Sequence, residues 1–287
     1  MLAEFLDPLR YHGQVQTSPR QVGLARALSK LGYCSRSRAA ELIRDARVTL
    51  NGKIQRNPEY PVRLAVDKIA VDRRPVSAGE KIYIVLNKPR AAVTTAADER
   101  GRETVYDYLD KSSPWLAPVG RLDKASEGLL LLTNDSEWAA RILDPQSHLD
   151  KVYHVRVNTP VDEALLQKLL QGVTSEGELL RVSSARVLRG GQRRAWLEIV
   201  LREGKNRHIR RIFEQLGIEV LRLVRTAIGP LQLGELAKGS TRPLTKSEKA
   251  ALDKALDSAA KTRSRVKPRK SSPNPRSARR QHPTKSR

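Results

Sequence analysis

The sequence predicts an α+β protein: a small N-terminal α/β module, then a larger domain built on a mixed, largely antiparallel sheet flanked by helices. Three observations predict this. Stretches with strand spacing and stretches with helix spacing mix along the chain without a regular βαβ repeat. Asn51-Gly52 stands between short β-prone runs in VTLNGKI (48–54), the strongest short-range hairpin signal. Four consecutive leucines, Leu129 to Leu132, suit a strand buried on both faces. With 287 residues and 39% hydrophobic content there is material for one large domain or two ordinary ones. There is no repeat at solenoid or propeller spacing.

Taken in order, residues 1–20 lack periodicity and read as a flexible leader. Residues 21–78 read as the small module. Leu24, Ala27, Leu28 and Leu31 recur at helical spacing and stop at Gly32, a plausible C′ residue. Ser35 sits where an N-cap belongs, ahead of a second helix carrying Ala39, Leu42 and Ile43. The hairpin follows, and Val66 to Val71 offers another strand.

Residues 79–245 form the larger domain. KIYIVLNKP (81–89) reads as a strand, Glu103 to Leu109 as a short helix, and GLLLLTND as the buried strand. Asn134 or Asp135 can cap the helix SEWAARIL. KVYHVRV (151–157) alternates, with Tyr153, Val155 and Val157 on one face. DEALLQKLLQG is helical, AWLEIVL a strand, REGKNR a polar loop, HIRRIFEQLG a helix, and IEVLRLVRTAIG a strand. Residues 246–287 carry few apolar residues and no acid after Asp257, which predicts a disordered basic tail attracting phosphates without regard to sequence.

The charge limits the partners. Lys+Arg 54 against Asp+Glu 31 leaves a formal charge of +23, which favours a polyanion, because each phosphate neutralised releases condensed counterions. No apolar run approaches the ~20 residues that span a bilayer, so nucleic acid is preferred over a membrane. Cys34 is the sole cysteine, which excludes an intramolecular disulfide and a thiolate zinc cluster. The first 20 residues do not read as a secretory signal, and a cytoplasmic protein fits. Arg36, Arg38, Arg44, Arg47 and Lys53 cluster across the second helix and the hairpin, with only Glu41 and Asp45 as nearby acids. That lopsided face points to RNA.

No Walker loop, dinucleotide fingerprint, H-E-x-x-H or nucleophile elbow is present, and the five histidines are scattered without metal spacing. No cofactor or metal is expected. Attention falls on GRLDKASEGLLLLTND (120–135), where Asp123 precedes the core strand. Alone, an Arg-x-Asp turn before a strand reads as a salt bridge. Here Gly120 permits a tight approach, the core strand offers a rigid base, and the basic run Lys205 to Arg211 can bring cations and a helix dipole to the carboxylate.

Two resemblances sharpen this. LARALSKLGYCSRSRAAELIRDARVTLNGKI resembles the S4 RNA-binding domain over about residues 21–70, in its helix–SRSRA–helix–V-x-x-N-G order. VGRLDKASEGLLLLTND resembles the catalytic motif of the rRNA pseudouridine synthases that carry an N-terminal S4 domain. VLNKP, KVYHV and LREGKNRHIRRIF resemble three further motifs of that family, in matching order across roughly 80–235. The resemblance implies that Asp123 is the essential carboxylate and that Tyr153 stacks on the target base. It also implies that Arg210 pairs with Asp123, that Arg121 holds the flipped nucleotide or fills its place, and that Lys88 and Pro89 support the site. The chain departs from the family pattern at Ala91, where glycine is usual, at His208, where glutamine is common, and at Asp144, where histidine often precedes proline.

The implied reaction fits the missing motifs. Isomerising uridine breaks the N1–C1′ bond, turns the base and rejoins it through C5, with no net oxidation or phosphoryl transfer. A glycosidase commonly uses two carboxylates. An enzyme that keeps the base in place and excludes water can work with one, either attacking C1′ or taking the 2′ proton. The expected partner is ribosomal RNA or a pre-ribosomal particle, the large-subunit RNA being favoured, and the expected state is a monomer. The alternative is a non-catalytic S4-type assembly factor, which should have lost Asp123 or its basic partner.

Overall fold

The structure, a computed structural model, describes residues 21–96, 98 and 100–265. The expected leader and residues 266–287 of the expected tail lie outside them.

In the N-terminal module, α1 (Leu24–Lys30) ends as Gly32 predicts. That glycine has φ +78°, its N–H bonds Ser29 O, and Tyr33 N–H reaches back to Leu28 O, so the last turn closes in a Schellman motif. Ser35 caps α2 (Arg36–Arg44), its hydroxyl accepting from Arg38 N–H. The hairpin forms β1 (Val48–Leu50) and β2 (Lys53–Ile54) around Asn51-Gly52. β3 (Ile69–Val71) and β4 (Arg74–Val76) complete a four-stranded sheet. β3 starts three residues later than expected, because residues 63–67 close a turn in which the Asp67 carboxylate accepts from Arg63 N–H. Leu24, Leu28, Leu42, Ile43, Val48 and Val71 pack as the core of the module.

The larger domain is built on one main sheet, with strand order β8-β9-β7-β10-β6-β5-β11 along its path, beside a separate hairpin of Val173–Ser175 and Glu178–Leu180. The strands of the main sheet are β5 (Tyr83–Lys88), β6 (Glu127–Thr133), β7 (Lys151–Val157), β8 (Ser184–Arg189), β9 (Ala195–Leu201), β10 (Val220–Ile228) and β11 (Thr241–Pro243). Its one parallel junction joins β10 to β6, at Val224↔Glu127 and Arg225↔Gly128; the other neighbours along this order are antiparallel. Gly128 is required there. A Cβ on it would lie 2.2 Å from Arg225 O, and its φ is +102°. The leucine run β6 is buried along its whole length, as two-faced coverage predicts. Instead of a helix over 103–109 there is a single 3₁₀ turn, Val105–Tyr108, capped by Thr104.

On one half of the sheet α4 (Glu163–Gln171) and α5 (His208–Gln215) cover Val155, Val157, Leu197 and Ile199. On the other half α3 (Ser136–Leu143) packs Trp138 and Ile142 against Leu129 and Leu131. A second helix shares that face and corrects the expected tail. Residues 246–265 form α6 (Lys246–Arg265), with Leu252 and Leu256 in the same core. Thr245 and Glu248 form a reciprocal capping box, Arg242 clamps Glu248 through both carboxylate oxygens, and Asp253 accepts from the Trp138 indole at 2.8 Å. Average composition over 246–287 hid the signal T-x-x-E followed by leucines four apart. Leu252→Ala is expected to cost about 2–5 kcal/mol of stability in a denaturant titration. A cost near zero would mean that α6 does not contribute to the core. Among the described residues no helix is long and apolar enough to cross a membrane.

A candidate active site

Asp123 sits on the loop that leads into β6, and the backbone of that loop is gripped from every side. Thr94 Oγ donates to Leu122 O at 2.8 Å. Lys88 Nζ donates to Asp123 O at 3.3 Å, to Ser126 O at 2.9 Å and to Pro89 O at 3.0 Å. Ala91 N–H bonds Lys124 O at 2.8 Å. Arg210 Nη2 donates to Ala125 O at 2.9 Å. Each carbonyl from 122 to 126 therefore has a donor from another segment. The Asp123 side chain is left half-exposed, accepting no hydrogen bond among the described residues.

Lys88 is fully buried. Burial pushes its ammonium down to about 8, against the pull of Asp123 and Glu127. Glu127, the first residue of β6, is buried too. Desolvation would raise its pKa, but the two-pronged bond from Arg222 and the Lys238 contact at 2.7 Å outweigh this and hold it below its usual range.

The carboxylate opens onto a cavity of about 460 Å³ whose walls include Arg121, Tyr153, Lys151, Arg207, His208 and Arg225. That is room for a nucleoside. Among the described residues Asp123 is the only carboxylate lining it. A second hollow of about 470 Å³ adjoins it through Arg121, Asp123 and Arg207 and carries Arg100, Arg102 and Lys124. Asp98 is its other acid among the described residues, and its hydrogen bonds with the Arg102 guanidinium hold it well below the carboxylate range.

The fold thus brings Asp123, Arg121 and Tyr153 to one place. Tyr153 lies in register between Ile199 and Arg225 and packs against both the α4–α5 core and the core under β5 and β6. Arg210 is close by but forms no ion pair with Asp123, contrary to the pairing that the resemblance implies. Its guanidinium is committed to Ala125 O and, at 3.4 Å, to Val220 O, so it holds the loop and attracts the carboxylate through space. Burial, and then the charge of Arg207, lower its pKa.

Sequence reasoning missed Lys151 and Arg225 as cavity residues. Arg225 is 6% exposed, with Nε donating to Leu129 O and Nη2 buried without a partner. Burial, then Arg225, lower the Lys151 pKa. The one available signal was a cation at each strand position that the alternation aims inward.

The three departures from the family pattern have different consequences. Asp144 caps the turn after α3, accepting from Gln146 N–H. His208 is buried on the cavity wall, and burial lowers its pKa. Ala91 has φ +80°, a conformation that costs a residue with a Cβ roughly 1–2 kcal/mol. Ala91→Gly is expected to raise unfolding stability by about 1 kcal/mol, measured by chemical denaturation; a loss would mean that the methyl group packs favourably.

All five S4-face cations, Arg36, Arg38, Arg44, Arg47 and Lys53, are exposed. Arg38 pairs with Glu41 and Arg47 with Asp72 in two-pronged contact. They lie at a distance in sequence from the cavity, on a module tied to the larger domain by Lys30–Glu137 at 2.8 Å.

Comparison with known proteins identifies the family. Residues 82–215 match the RNA pseudouridylate synthase family and residues 22–67 the S4 domain. An uncharacterised RNA pseudouridine synthase of Aquifex aeolicus is 38% identical over 237 residues, 82% of this chain and 95% of that protein. Ribosomal large subunit pseudouridine synthase B of Bacillus subtilis is 35% identical, over 78% of this chain and 93% of that protein. A crystal structure of a pseudouridylate synthase superposes with a TM-score of 0.58 at 30% identity, covering 80% of this chain and 99% of that one. With a lone carboxylate on a clamped loop and an S4 module before it, this chain belongs to the RNA pseudouridine synthase family, enzymes that isomerise uridine in RNA.

Proposed function

We propose that the protein converts uridine to pseudouridine in ribosomal RNA, the large-subunit RNA being favoured, with Asp123 as its single catalytic carboxylate. The observation that carries this is the Asp123 side chain, unpartnered on a loop whose carbonyls are all held, as the only acid in the cavity. The preference for large-subunit RNA rests on the likeness to the Bacillus subtilis enzyme.

The target nucleotide leaves its stack and enters the cavity, at a cost of a few kcal/mol that stacking on Tyr153 partly offsets. Arg121 holds the extruded nucleotide or fills the gap it leaves, and Arg207 meets flanking phosphate. Asp123 then acts at the sugar, attacking C1′ or taking the 2′ proton. The N1–C1′ bond breaks as the Asp123–C1′ ester forms or as the 2′ proton passes to Asp123, and the retained uracil turns. C5 then bonds to C1′, which releases the ester or is accompanied by return of the proton to C2′; the C5 proton is lost to solvent and N1 takes one up, so the product is an isomer. Arg210 and Lys88 position Asp123 through the loop carbonyls. Arg36, Arg38, Arg44, Arg47 and Lys53 hold structured RNA on the S4 module. The protein works as a monomer in the cytoplasm, on free ribosomal RNA or a pre-ribosomal particle.

Pseudouridine mapping of total rRNA from cells lacking the gene tests this, with parallel samples carrying the wild-type protein or Asp123→Asn. Loss of one or a few sites, restored by wild type alone, is the expected result. An unchanged map would leave an RNA-binding factor as the better description. Equal rescue by both proteins would reduce Asp123 to a structural residue.

A further inference from the structure

The strands that line the cavity have a second face. On β7, β9 and β10 the inward set, Val155, Leu197, Ile199 and Leu223, is buried under α4 and α5. The alternate set is only partly buried or exposed. Across that outer face the register aligns one row over four strands: Arg189 opposite Trp196, Trp196 opposite Arg156, Arg156 opposite Arg222. The row spans about 14 Å, three interstrand spacings of roughly 4.8 Å.

Like charges directly opposite destabilise a sheet, yet Arg156 faces Arg222. Among the described residues the Arg156 and Arg189 side chains have no hydrogen bond or ion pair. The Arg222 guanidinium lies 5.9 Å from the centre of the Trp196 ring while bonded to Glu127, giving a flat cationic–aromatic surface. The acids of this face are already engaged. Glu198 is held by Arg186 at 2.7 Å and faces His154, and Glu127 is neutralised by Arg222 and Lys238.

We propose that this outer sheet face is a second RNA surface, which takes a single-stranded segment flanking the target nucleotide. Its arginines meet phosphates and a base stacks on the Trp196–Arg222 pair. Single-stranded RNA fits better than duplex, because a flat strand platform with an aromatic flanked by cations suits splayed bases. Arg222 precedes the cavity residue Leu223 in β10 and so lies on the opposite face of the sheet, and its partner Glu127 follows the cavity residue Ser126. An RNA segment flanking the target nucleotide would reach the row by passing round the sheet from the cavity.

The inference rests on the RNA-modifying reading above and is tested on the full chain with an oligoadenylate of about 12 nucleotides, which offers no uridine to the cavity. The double variant Arg156→Gln/Arg189→Gln is expected to fold at least as stably as wild type, since it relieves like-charge repulsion. Its log K against log[salt] slope should fall by about 1.4, roughly 0.7 for each phosphate that no longer meets an arginine. Trp196→Ala is expected to weaken binding about fivefold or more with the slope unchanged. With a uridine-containing stem–loop bearing a single-stranded extension, both variants should raise KM and leave kcat in place. Wild-type affinity and slope in the folded double variant would overturn the proposal, as would a duplex RNA of equal length competing as well as the oligoadenylate. A wild-type protein that makes no pseudouridine, in a series whose variants still weaken oligoadenylate binding as above, would sink the catalytic reading and leave this surface standing.

Discussion

Asp123→Asn is expected to remove turnover on the order of 10⁴-fold, about 5.5 kcal/mol of activation free energy, while leaving the fold and RNA binding intact. The amide matches the carboxylate in shape but can neither attack C1′ nor accept the 2′ proton. Stability should change little, because the side chain makes no hydrogen bond and the loop is held through its backbone instead. RNA affinity should stay constant or rise, since a negative charge leaves a cavity lined by Arg121, Arg207 and Arg225. Single-turnover assays with a labelled substrate, beside filter binding of the same RNA, separate the two quantities. Turnover within tenfold of wild type would remove Asp123 from the chemistry. A loss of binding together with turnover would instead indicate a collapsed site.

Lys88→Met is expected to lose activity for a different reason. Its Nζ supplies three donors to buried or half-buried carbonyls, and Ser126 N–H replaces one of them, at Asp123 O. The carbonyls of Pro89 and Ser126 remain, and leaving them unmade costs about 3 kcal/mol in total. The Asp123 loop then loosens, and a displacement near 1 Å at a reacting group costs about 10²-fold in rate.

The same lysine predicts a pH dependence. With its pKa near 8 in the fold and 10.5 as the ordinary value, Lys88 is charged in both states below pH 8. Between these values the unfolded chain holds a proton that the folded one has released, so this group makes stability rise with pH there. The neutral amine has one donor fewer for the loop. Activity should therefore fall as pH climbs through about 8 while thermal stability does not fall with it, and Lys88→Met should lack that alkaline limb. A limb that persists in the variant would assign the titration to another group.

The sequence by itself determined what is local. Gly32 and Ser35 specify where one helix of the S4 module stops and the next starts, because a positive φ and a hydroxyl acceptor are demands a single residue meets. Asn51-Gly52 specifies the hairpin, and the leucine run specifies a strand covered on both sides. The GRLD motif and its three companion motifs pointed to Asp123, Tyr153 and Arg210 through resemblance; the fold gathers Asp123 and Tyr153 around one cavity and puts Arg210 on the Ala125 carbonyl of the Asp123 loop.

Only the tertiary structure decided what depends on distant partners. Whether Arg210 meets the carboxylate or the Ala125 carbonyl turns on where α5 docks, some 85 residues on. Lys88 and Thr94 became clamps of the loop because the fold lays β5 and the segment after it against residues 122–126. Residues 246–265 are helical because Leu252 and Leu256 find an apolar face beside Trp138 and Ile142, a gain that no averaging over their own composition contains. The row Arg189–Trp196–Arg156–Arg222 exists only through strand register. Side chains far apart in sequence become neighbours when hydrogen-bonded strands align, and no local pattern encodes which of them will face one another.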